Sequence, residues 1–227
     1  MHLISTESFQ RRRLNQAEFS DVRLDGCSFD NCSIHGGTLE RLELNQCRTW
    51  SCSLSDLIVE DCIIDGLSTT VHGARGRRTP LFLWGVRSSH VVLKGRIGAL
   101  VWNQPRDWRG PESQELVEFY RRYYESVDWA LDVSNAVFTA VPSLRYGPPG
   151  RLIRRDPETQ PLVTRERVLA ADWDPLMYTI GVWRVVIQHM LDHSWPNEIV
   201  LLPARAGKSY KAELAGIEIL RASGIAT

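Results

Sequence analysis

The chain has 227 residues, of which 43% are hydrophobic, and its 27 basic and 27 acidic side chains give a formal net charge of zero. This length accommodates one large domain or two small ones, and the composition is typical of a water-soluble globular protein. No apolar run is long enough to cross a bilayer, and the opening residues lack the apolar core of a signal peptide, so we expect a cytoplasmic protein with no membrane partner.

The neutral total hides two segments of opposite charge. Residues 14–66 carry ten acidic side chains against three arginines, a net charge of −7. Residues 71–110 carry eight basic side chains against Asp107 alone, a net charge of +7. We expect the two segments to neutralise each other within one folded unit, which we favour over a surface dedicated to nucleic acid.

Apolar residues recur at every fifth position of the acidic segment. This series is interrupted only at Thr49, and it comprises Leu14, Phe19, Leu24, Phe29, Ile34, Leu39, Leu44, Leu54, Val59 and Ile64. A second series of small or apolar residues lies two positions earlier, and it contains all five cysteines of the chain, Cys27, Cys32, Cys47, Cys52 and Cys62. A period of five fits neither an α-helix nor a flat strand, because neither element keeps such residues on one buried face.

Stretches such as AEFSD, VRLDG, CSFDN, CSIHG and CSLSD resemble the repeats of the pentapeptide-repeat family, over about a quarter of the chain, from Leu14 to Gly66. The resemblance implies a right-handed quadrilateral β-helix, in which four pentapeptides form one coil and both series point inwards. It implies two to three coils here, a stack of about 13 Å at the usual strand spacing. The core residues that it implies are Leu24, Cys27, Phe29, Cys32, Ile34, Leu44, Cys47, Cys52, Leu54, Cys62 and Ile64.

The cysteines are interpreted as core residues, because a thiol is a small apolar group that fits where alanine would otherwise stand. A coil of twenty residues places Cys27 beneath Cys47 with parallel side chains, which is poor geometry for a disulfide. We therefore expect free thiols in a reducing compartment. The cysteines are not expected to bind a metal, since the sequence has no Cys-x-x-Cys pair.

Beyond Gly66 the sequence predicts a basic link, GARGRR, and three irregular β-rich pieces, LFLW, HVVLKG and IGALVW, between residues 81 and 102. We expect these pieces to extend or cap the β-helix, because an open coil end is an unpaired strand edge. The predicted division is a β-helix with its cap over residues 1–110 and a small α/β (α+β) domain over residues 111–227.

The second domain begins with a predicted helix from Glu112 to about Ala130. Its aromatic stripe, Leu116, Phe119, Tyr120, Tyr123 and Val127, is expected to pack against the end of the β-helix. A strand is predicted over residues 136–141, followed by a hairpin that turns at Asp156 and Pro157.

A second helix is predicted from Asp174 and Pro175 to about His193. Its buried face comprises Leu176, Ile180, Trp183, Val186 and Ile187. The stretch EIVLLP is typical of a buried strand, SYKAELAGIEILRAS is typical of a helix, and Gly224 marks the end of that helix.

The loop LPARAGKSY is the tightest local motif of the chain. Arg205, Gly207, Lys208 and Ser209 lie between a predicted strand and a predicted helix start, where free amide groups favour an anion. The loop resembles the end of a Walker A motif, but Leu202 stands where that motif has its first glycine. A plain helix cap formed by Ser209 is the favoured alternative.

His189 and His193 are four residues apart on the predicted helix, a spacing compatible with two metal ligands, and Asp192 lies beside them. The glutamate of an H-E-x-x-H site is missing, because that position is Met190, and histidines also suit a helix C-terminus without any metal. Two carboxylate pairs, Asp172 with Asp174 and Asp156 with Glu158, are interpreted as caps or turns. No active site is predicted, and no cofactor.

The leading hypothesis is a non-enzymatic interaction or scaffold protein that presents a rigid acidic β-helix to another protein, with a homodimer as a possible state. The first alternative is a topoisomerase-protecting mimic of DNA, as the resemblance implies for acidic β-helices, although a stack of fewer than three coils is short for this function. The second is an enzyme that acts on a phosphorylated or nucleic-acid substrate through residues 112–227.

Overall fold

The structure is a computed structural model that describes residues 1–69, 79–105 and 114–227. Within these ranges it contains four α-helices, α1 (Gln114–Glu125), α2 (Arg165–Ala170), α3 (Trp183–Asp192) and α4 (Tyr210–Ala222). The strands up to residue 69 are β1 (His2–Ser5), β2 (Ser8–Gln10), β3 (Arg13–Ser20), β4 (Val22–Asp25), β5 (Ser28–Asp30), β6 (Ser33–Glu40), β7 (Glu43–Trp50), β8 (Ser53–Glu60) and β9 (Ile63–Ser68). The later strands are β10 (Leu81–Trp84), β11 (Arg87–Ser89), β12 (Val91–Ile97), β13 (Leu100–Asn103), β14 (Leu131–Asp132), β15 (Ala136–Phe138), β16 (Ser143–Leu144), β17 (Ile153–Arg154), β18 (Leu162–Thr164) and β19 (Glu198–Val200).

Strands β1 to β17 form two parallel sheets that are stacked coil upon coil. One sheet has the order β1-β4-β7-β9-β12-β14-β17, and the other has the order β16-β13-β10-β8-β6-β3. Partners in the first coils are 20 residues apart, so that Leu14 lies beside Ile34 and Ile34 beside Leu54. The chain therefore combines a parallel-β solenoid with a C-terminal α/β region.

The backbone of the solenoid repeats every five residues. From residue 6 to residue 66, every fifth residue has a left-handed φ between +50° and +75°, namely Thr6, Arg11, Gln16, Asp21, Gly26, Asn31, Gly36, Arg41, Gln46, Ser51, Asp56, Asp61 and Gly66. Four such bends fall in each 20-residue coil. The period therefore begins before Leu14, and Ile4 and Phe9 continue the apolar series towards the N-terminus.

The core of the solenoid contains both apolar series. Cys27, Cys47, Cys52 and Cys62 are buried, whereas Cys32 is only partly buried, and all five thiols are free. The Cys47 thiol lies 3.2 Å from the carbonyl oxygen of Leu24, and burial raises the pKa of Cys47 to about 11. Seven residues of the other series pack against this core from partly buried positions, namely Leu24, Phe29, Ile34, Leu44, Leu54, Val59 and Ile64.

The stack is deeper than the repeats alone predicted. Strands β10, β12 and β13 continue the two sheets in register, with Phe82 beside Ser53 and Val92 beside Ile63. In both pairs the offset is 29 residues instead of the 20 of the earlier coils. The predicted link GARGRR falls within residues 70–78, outside the described residues. The longer sheet is seven strands deep in the described part, about 29 Å at the usual spacing rather than 13 Å.

The same sheets run on past residue 110, where the sequence predicted the domain boundary, as far as Arg154. The hairpin predicted around Asp156 and Pro157 is wrong. The turn itself is present, with the Gln160 amide donating to the Asp156 carbonyl at 2.8 Å. The strands on its two sides have different partners, however, since β17 pairs with β14 in the solenoid and β18 pairs with β19.

The C-terminal region covers the last coil. Leu162, Val200 and Leu202 belong to the same buried cluster as the solenoid core. Of the two roles predicted for the pieces between residues 81 and 102, the structure shows the extension of the stack, whereas the cap comes from strands β18 and β19 and the residues after them.

Helix α1 was predicted to pack against the end of the solenoid, but it lies against the flank. Leu116, Tyr120 and Tyr124 are buried, and the Tyr124 hydroxyl accepts a hydrogen bond from the Ser88 amide at 3.3 Å. The helix ends at Glu125, which is earlier than predicted, and its predicted start at Glu112 lies outside the described residues.

The single helix predicted from Asp174 to His193 is divided. A 3-10 turn at Asp174–Tyr178 precedes α3, and Gly181 between them has a φ of +58°, which an α-helix does not accommodate. Helix α4 packs on this break, where a Cβ on Gly216 would stand 2.8 Å from the Ile180 carbonyl oxygen. Gly224 follows α4 with a φ of +76°, as predicted for its end.

Candidate functional site

A cavity of about 170 Å³ separates the last solenoid coils from helix α3. Its walls come from residues 141–145, from the helix and its first turn, and from residues 196–200. Most of the lining is aliphatic, and it includes Val141, Leu144, Val182, Val185, Val186 and Ile199. Arg145 and His189 are the charged or titratable residues in this lining, so the cavity is mainly apolar with two polar side chains that can contact an anion.

The structure brings the two histidines of the predicted metal site together. The ring centroids of His189 and His193 are 4.1 Å apart, and Nδ1 of His193 lies 3.2 Å from the Tyr146 hydroxyl. Nε2 of His189 is buried and has no hydrogen-bond partner within the described part of the chain. Burial, together with the nearby His193 and Arg145, lowers the pKa of His189 to about 4, so this imidazole is neutral at pH 7.

The neighbouring Asp192 accepts a hydrogen bond from the Gln188 amide at 2.8 Å. Across residues 1–69, 79–105 and 114–227, no three histidine, cysteine, aspartate or glutamate side chains are grouped as metal ligands. The metal assignment of His189 and His193 stays a prediction.

The loop predicted to bind an anion leads into helix α4. Ser209 stands at the N-cap, but its hydroxyl donates to the carboxylate of Glu213 and accepts no bond from the helix amides. The second oxygen of Glu213 accepts from the Ala204 amide at 2.6 Å, and this glutamate is only 4% exposed. The Ser209 hydroxyl at the start of helix α4 is therefore already hydrogen-bonded to the Glu213 carboxylate.

The basic residues of the same loop, Arg205 and Lys208, are exposed, and the Gly207 amide donates to the Ala204 carbonyl. The charge of Arg205 contributes to lowering the pKa of Asp156, although the larger cause is the hydrogen bond from the Thr159 hydroxyl. Anion binding by this loop stays a prediction.

A ladder of alternating charge runs up one corner of the solenoid. Arg41 bonds Asp21 of the coil below at 2.8 Å. Three coils above Asp21, His90 lies between two carboxylates, with Nδ1 3.0 Å from Asp61 and Nε2 2.6 Å from Asp128. The hydrogen bond to Asp128, followed by that to Asp61, raises the pKa of His90, because only the protonated ring donates from both nitrogens.

The two ends of the solenoid differ in what covers them. The last coil is covered by the C-terminal region, whereas no strand in the described ranges pairs with the outer edges of β1 and β3. Leu3 is 57% exposed in this first coil, and Leu14 and Phe19 are each 40% exposed. The first coil therefore combines unpaired peptide groups with apolar side chains in water.

The sequence did not identify three of these features. The partners of His90 are 29 and 38 residues away, a separation that no local motif reports. Arg145 lies in a loop without a recognisable pattern. Glu213 was detectable, because it follows Ser209 at the i,i+4 spacing of interacting helix side chains.

Within the described residues, no helix has the length and apolar composition needed to span a membrane. Searches of known protein families, of curated proteins and of solved structures return no match to this chain.

Proposed function

We propose that the protein is a non-enzymatic pentapeptide-repeat protein that binds a second copy of itself through its first coil and serves as a rigid scaffold for other proteins. The left-handed bend at every fifth residue, four to a coil, supports the right-handed, four-sided β-helix of that family. The observation that carries the interaction function is the open first coil, at the end of the solenoid opposite to the one that the C-terminal region covers.

The apolar ladders of the solenoid are incomplete at this end. Leu14 packs on Ile34 and Phe19 on Leu39, but each has a neighbour on one side only. An exposed strand edge with apolar side chains favours association with further strands. Burying an apolar side chain contributes about 25 cal/mol for each Å² removed from water, so covering the first coil stabilises an assembly.

A second copy of the chain fits this end better than a single foreign strand does. Another first coil has the same outline and the same four bends, so two coils related by a two-fold axis meet along all their sides. Residues 1–20 carry Arg11, Arg12 and Arg13 against Glu7 and Glu18, a net charge of +1. Residues 21–60 have a net charge of −4, from seven acidic side chains and three arginines. The first coil therefore carries little net charge, so that two copies of it repel each other only weakly.

Sedimentation velocity of the full chain over a range of concentrations tests this proposal. We expect the wild type to sediment at twice the mass of one chain, and the double variant Leu14→Glu/Phe19→Glu to sediment as a monomer. The matched control is Leu169→Glu/Tyr178→Glu, which changes two apolar residues of the C-terminal region that are 69% and 81% exposed. Circular dichroism checks that each variant remains folded.

The self-association is overturned if the wild type stays monomeric at concentrations 100-fold above those at which ordinary homodimers form. It is also overturned if the control variant Leu169→Glu/Tyr178→Glu becomes monomeric as readily as Leu14→Glu/Phe19→Glu. Small-angle scattering adds a geometric check, because an end-to-end dimer doubles the length of the solenoid without changing its cross-section.

Topoisomerase protection by DNA mimicry is a second candidate, because the stack of about 29 Å removes the objection that the solenoid is short. The charge pattern of the solenoid counts against this candidate, because Arg41 and Lys94 interrupt the rows of acidic side chains and form ion pairs with them. Lys94, for example, lies 3.3 Å from Asp65. A supercoiling assay with DNA gyrase and a quinolone tests this candidate, and no protection at a large molar excess of the protein excludes it.

A further inference from the structure

The cavity beside helix α3 has no role in the proposed assembly, because it lies between the C-terminal region and the late solenoid coils. Its volume of about 170 Å³ is similar to that of cavities that hold a molecule of benzene's size. Val182 and Val185 are 39% and 59% exposed at its edge, so the cavity is open to entry from solvent. A ligand of about six to nine non-hydrogen atoms matches this space.

The polar groups of the cavity define the kind of ligand. Nε2 of His189 is buried without a partner, and leaving such a group unpaired costs about 1–3 kcal/mol. Arg145 is exposed in the same lining, and no acidic side chain contributes to the described walls of the cavity. A hydrogen-bond acceptor with negative charge therefore complements both groups, whereas a cationic ligand finds no counter-charge.

We propose that this cavity binds a small monocarboxylic acid with a compact apolar body, such as an aromatic or branched-chain acid. The apolar body lies among Val141, Val186 and Ile199, and the carboxylate accepts from Nε2 of His189 and pairs with Arg145. The neutral imidazole donates to a carboxylate in its Nε2–H tautomer. No bond is made or broken, so binding is reversible.

The charges around His189 give this proposal a spectroscopic signature. Arg145 and His193 lower the pKa of His189 and Asp192 raises it, with burial as the largest cause of the net decrease. A bound carboxylate adds a negative charge at hydrogen-bond distance from Nε2, which favours the protonated ring. We therefore expect the pKa of His189 to rise when the cavity is occupied.

The experiment titrates the full chain with benzoate and, in parallel, with benzyl alcohol, which has a similar size and no charge. Binding is measured by calorimetry, and the ring protons of His189 are followed by NMR as a function of pH. We expect benzoate to bind at least tenfold more tightly than benzyl alcohol, and to raise the pKa of His189 from about 4.

Arg145→Gln is the principal variant, and it should weaken benzoate binding at least tenfold while leaving binding of benzyl alcohol unchanged. Arg184→Gln is its matched control, because Arg184 is an exposed arginine of the same helix as His189 and lies outside the cavity lining. Val186→Phe fills the cavity and should abolish binding of both probes.

Equal affinity for benzoate and benzyl alcohol overturns the assignment of the ligand class. Equal effects of Arg145→Gln and Arg184→Gln, or binding that leaves the His189 resonances unmoved, show adsorption at the surface and overturn the site. Absence of binding by either probe at millimolar concentration overturns the proposal as a whole.

Discussion

The solenoid and the C-terminal region bury their apolar residues in different ways. In the solenoid the same pattern of buried residues recurs in each coil, so that Cys27 and Cys47 occupy the same position in successive coils. In the C-terminal region the core surrounds Trp183 and includes Val163, Ile199 and Ile217, which are distant in sequence and share no period. The comparison shows that a repeated core is visible in the sequence, whereas a core built from single contacts is not.

The largest expected loss of stability concerns Trp183, at the centre of the C-terminal core. This residue is fully buried and donates through Nε1 to the Glu213 backbone carbonyl at 2.7 Å. Trp183→Ala leaves a large cavity with no repeated neighbour to refill it, and it should lower the free energy of unfolding by about 3–5 kcal/mol. Val185→Ala on the same helix, at a half-exposed position, should cost less than about 1 kcal/mol. Urea denaturation measures both, and similar losses would contradict the account of this core.

The next effect concerns the close stacking of coils. Gly37 has a φ of +106°, and a Cβ there would stand 2.0 Å from the Ala17 carbonyl oxygen of the coil below. Gly37→Ala should therefore destabilise the protein by about 2–3 kcal/mol.

Gly26→Ala is the control for this substitution. Its φ is +63°, but the nearest atom to an added Cβ is a Thr6 methyl at 3.8 Å, so only the backbone cost of about 1 kcal/mol applies. If the two alanine variants unfold at the same urea concentration, the Ala17 backbone does not lie as close to residue 37 as the structure places it.

A smaller effect is expected at Glu213, whose carboxylate accepts from the Ala204 amide and the Ser209 hydroxyl. Glu213→Gln replaces one acceptor by a donor inside a buried site and should cost about 1–2 kcal/mol. Glu218→Gln, which affects an exposed ion pair with Arg221 on the same helix, should cost less than about 0.5 kcal/mol. Thermal unfolding of the two variants checks this order.

The smallest effect is a pH dependence at the charge ladder. The pKa of His90 is raised in the folded chain, so its ion pairs contribute stability below the unfolded pKa of about 6.5 and lose it as the pH rises through the folded pKa. The pKa of Asp128 is lowered by the same contact, so the contribution also disappears in strong acid. His90→Gln should therefore be less stable than the wild type near pH 5–6, by less than about 1 kcal/mol, and equally stable near pH 9.

Salt provides the control for this prediction, because the groups are exposed and about 1 M NaCl shortens the screening length to about 3 Å. The stability difference between wild type and His90→Gln should therefore vanish at high pH and at high salt. If it persists, the imidazole contributes through packing on Trp129, whose ring centroid lies 4.9 Å from that of His90, and not through charge.

The fold of the repeat was predictable because its cause is local. Every fifth residue adopts a left-handed bend, and the apolar residues between the bends show that period directly; the same pattern at Ile4 and Phe9 would have extended the prediction to the first coil. In the next coil the left-handed bends return at Gly85, His90 and Gly95, but the pairing offset of 29 residues puts them out of phase with the earlier series, and α1 separates β13 from β14. For that reason the depth of the stack was underestimated.

The candidate sites depended much more on the tertiary structure. The sequence identified His189 and His193 from their helical spacing, but Arg145 and the valines of the cavity come from the solenoid and from a divided helix. In the anion loop, the i,i+4 spacing of Ser209 and Glu213 is visible in the sequence, but only the structure shows that the Glu213 carboxylate accepts from both the Ser209 hydroxyl and the Ala204 amide.

The sequence by itself determined the repeat, the inward-facing cysteines and the helix at the C-terminus, because each depends on residues within one turn or one coil. Only the tertiary structure decided which end of the solenoid is covered, where His90 finds its two carboxylates, and that a cavity opens beside His189. These features depend on residues brought together from distant parts of the chain, and the free energy of such contacts belongs to the folded arrangement and not to any local pattern.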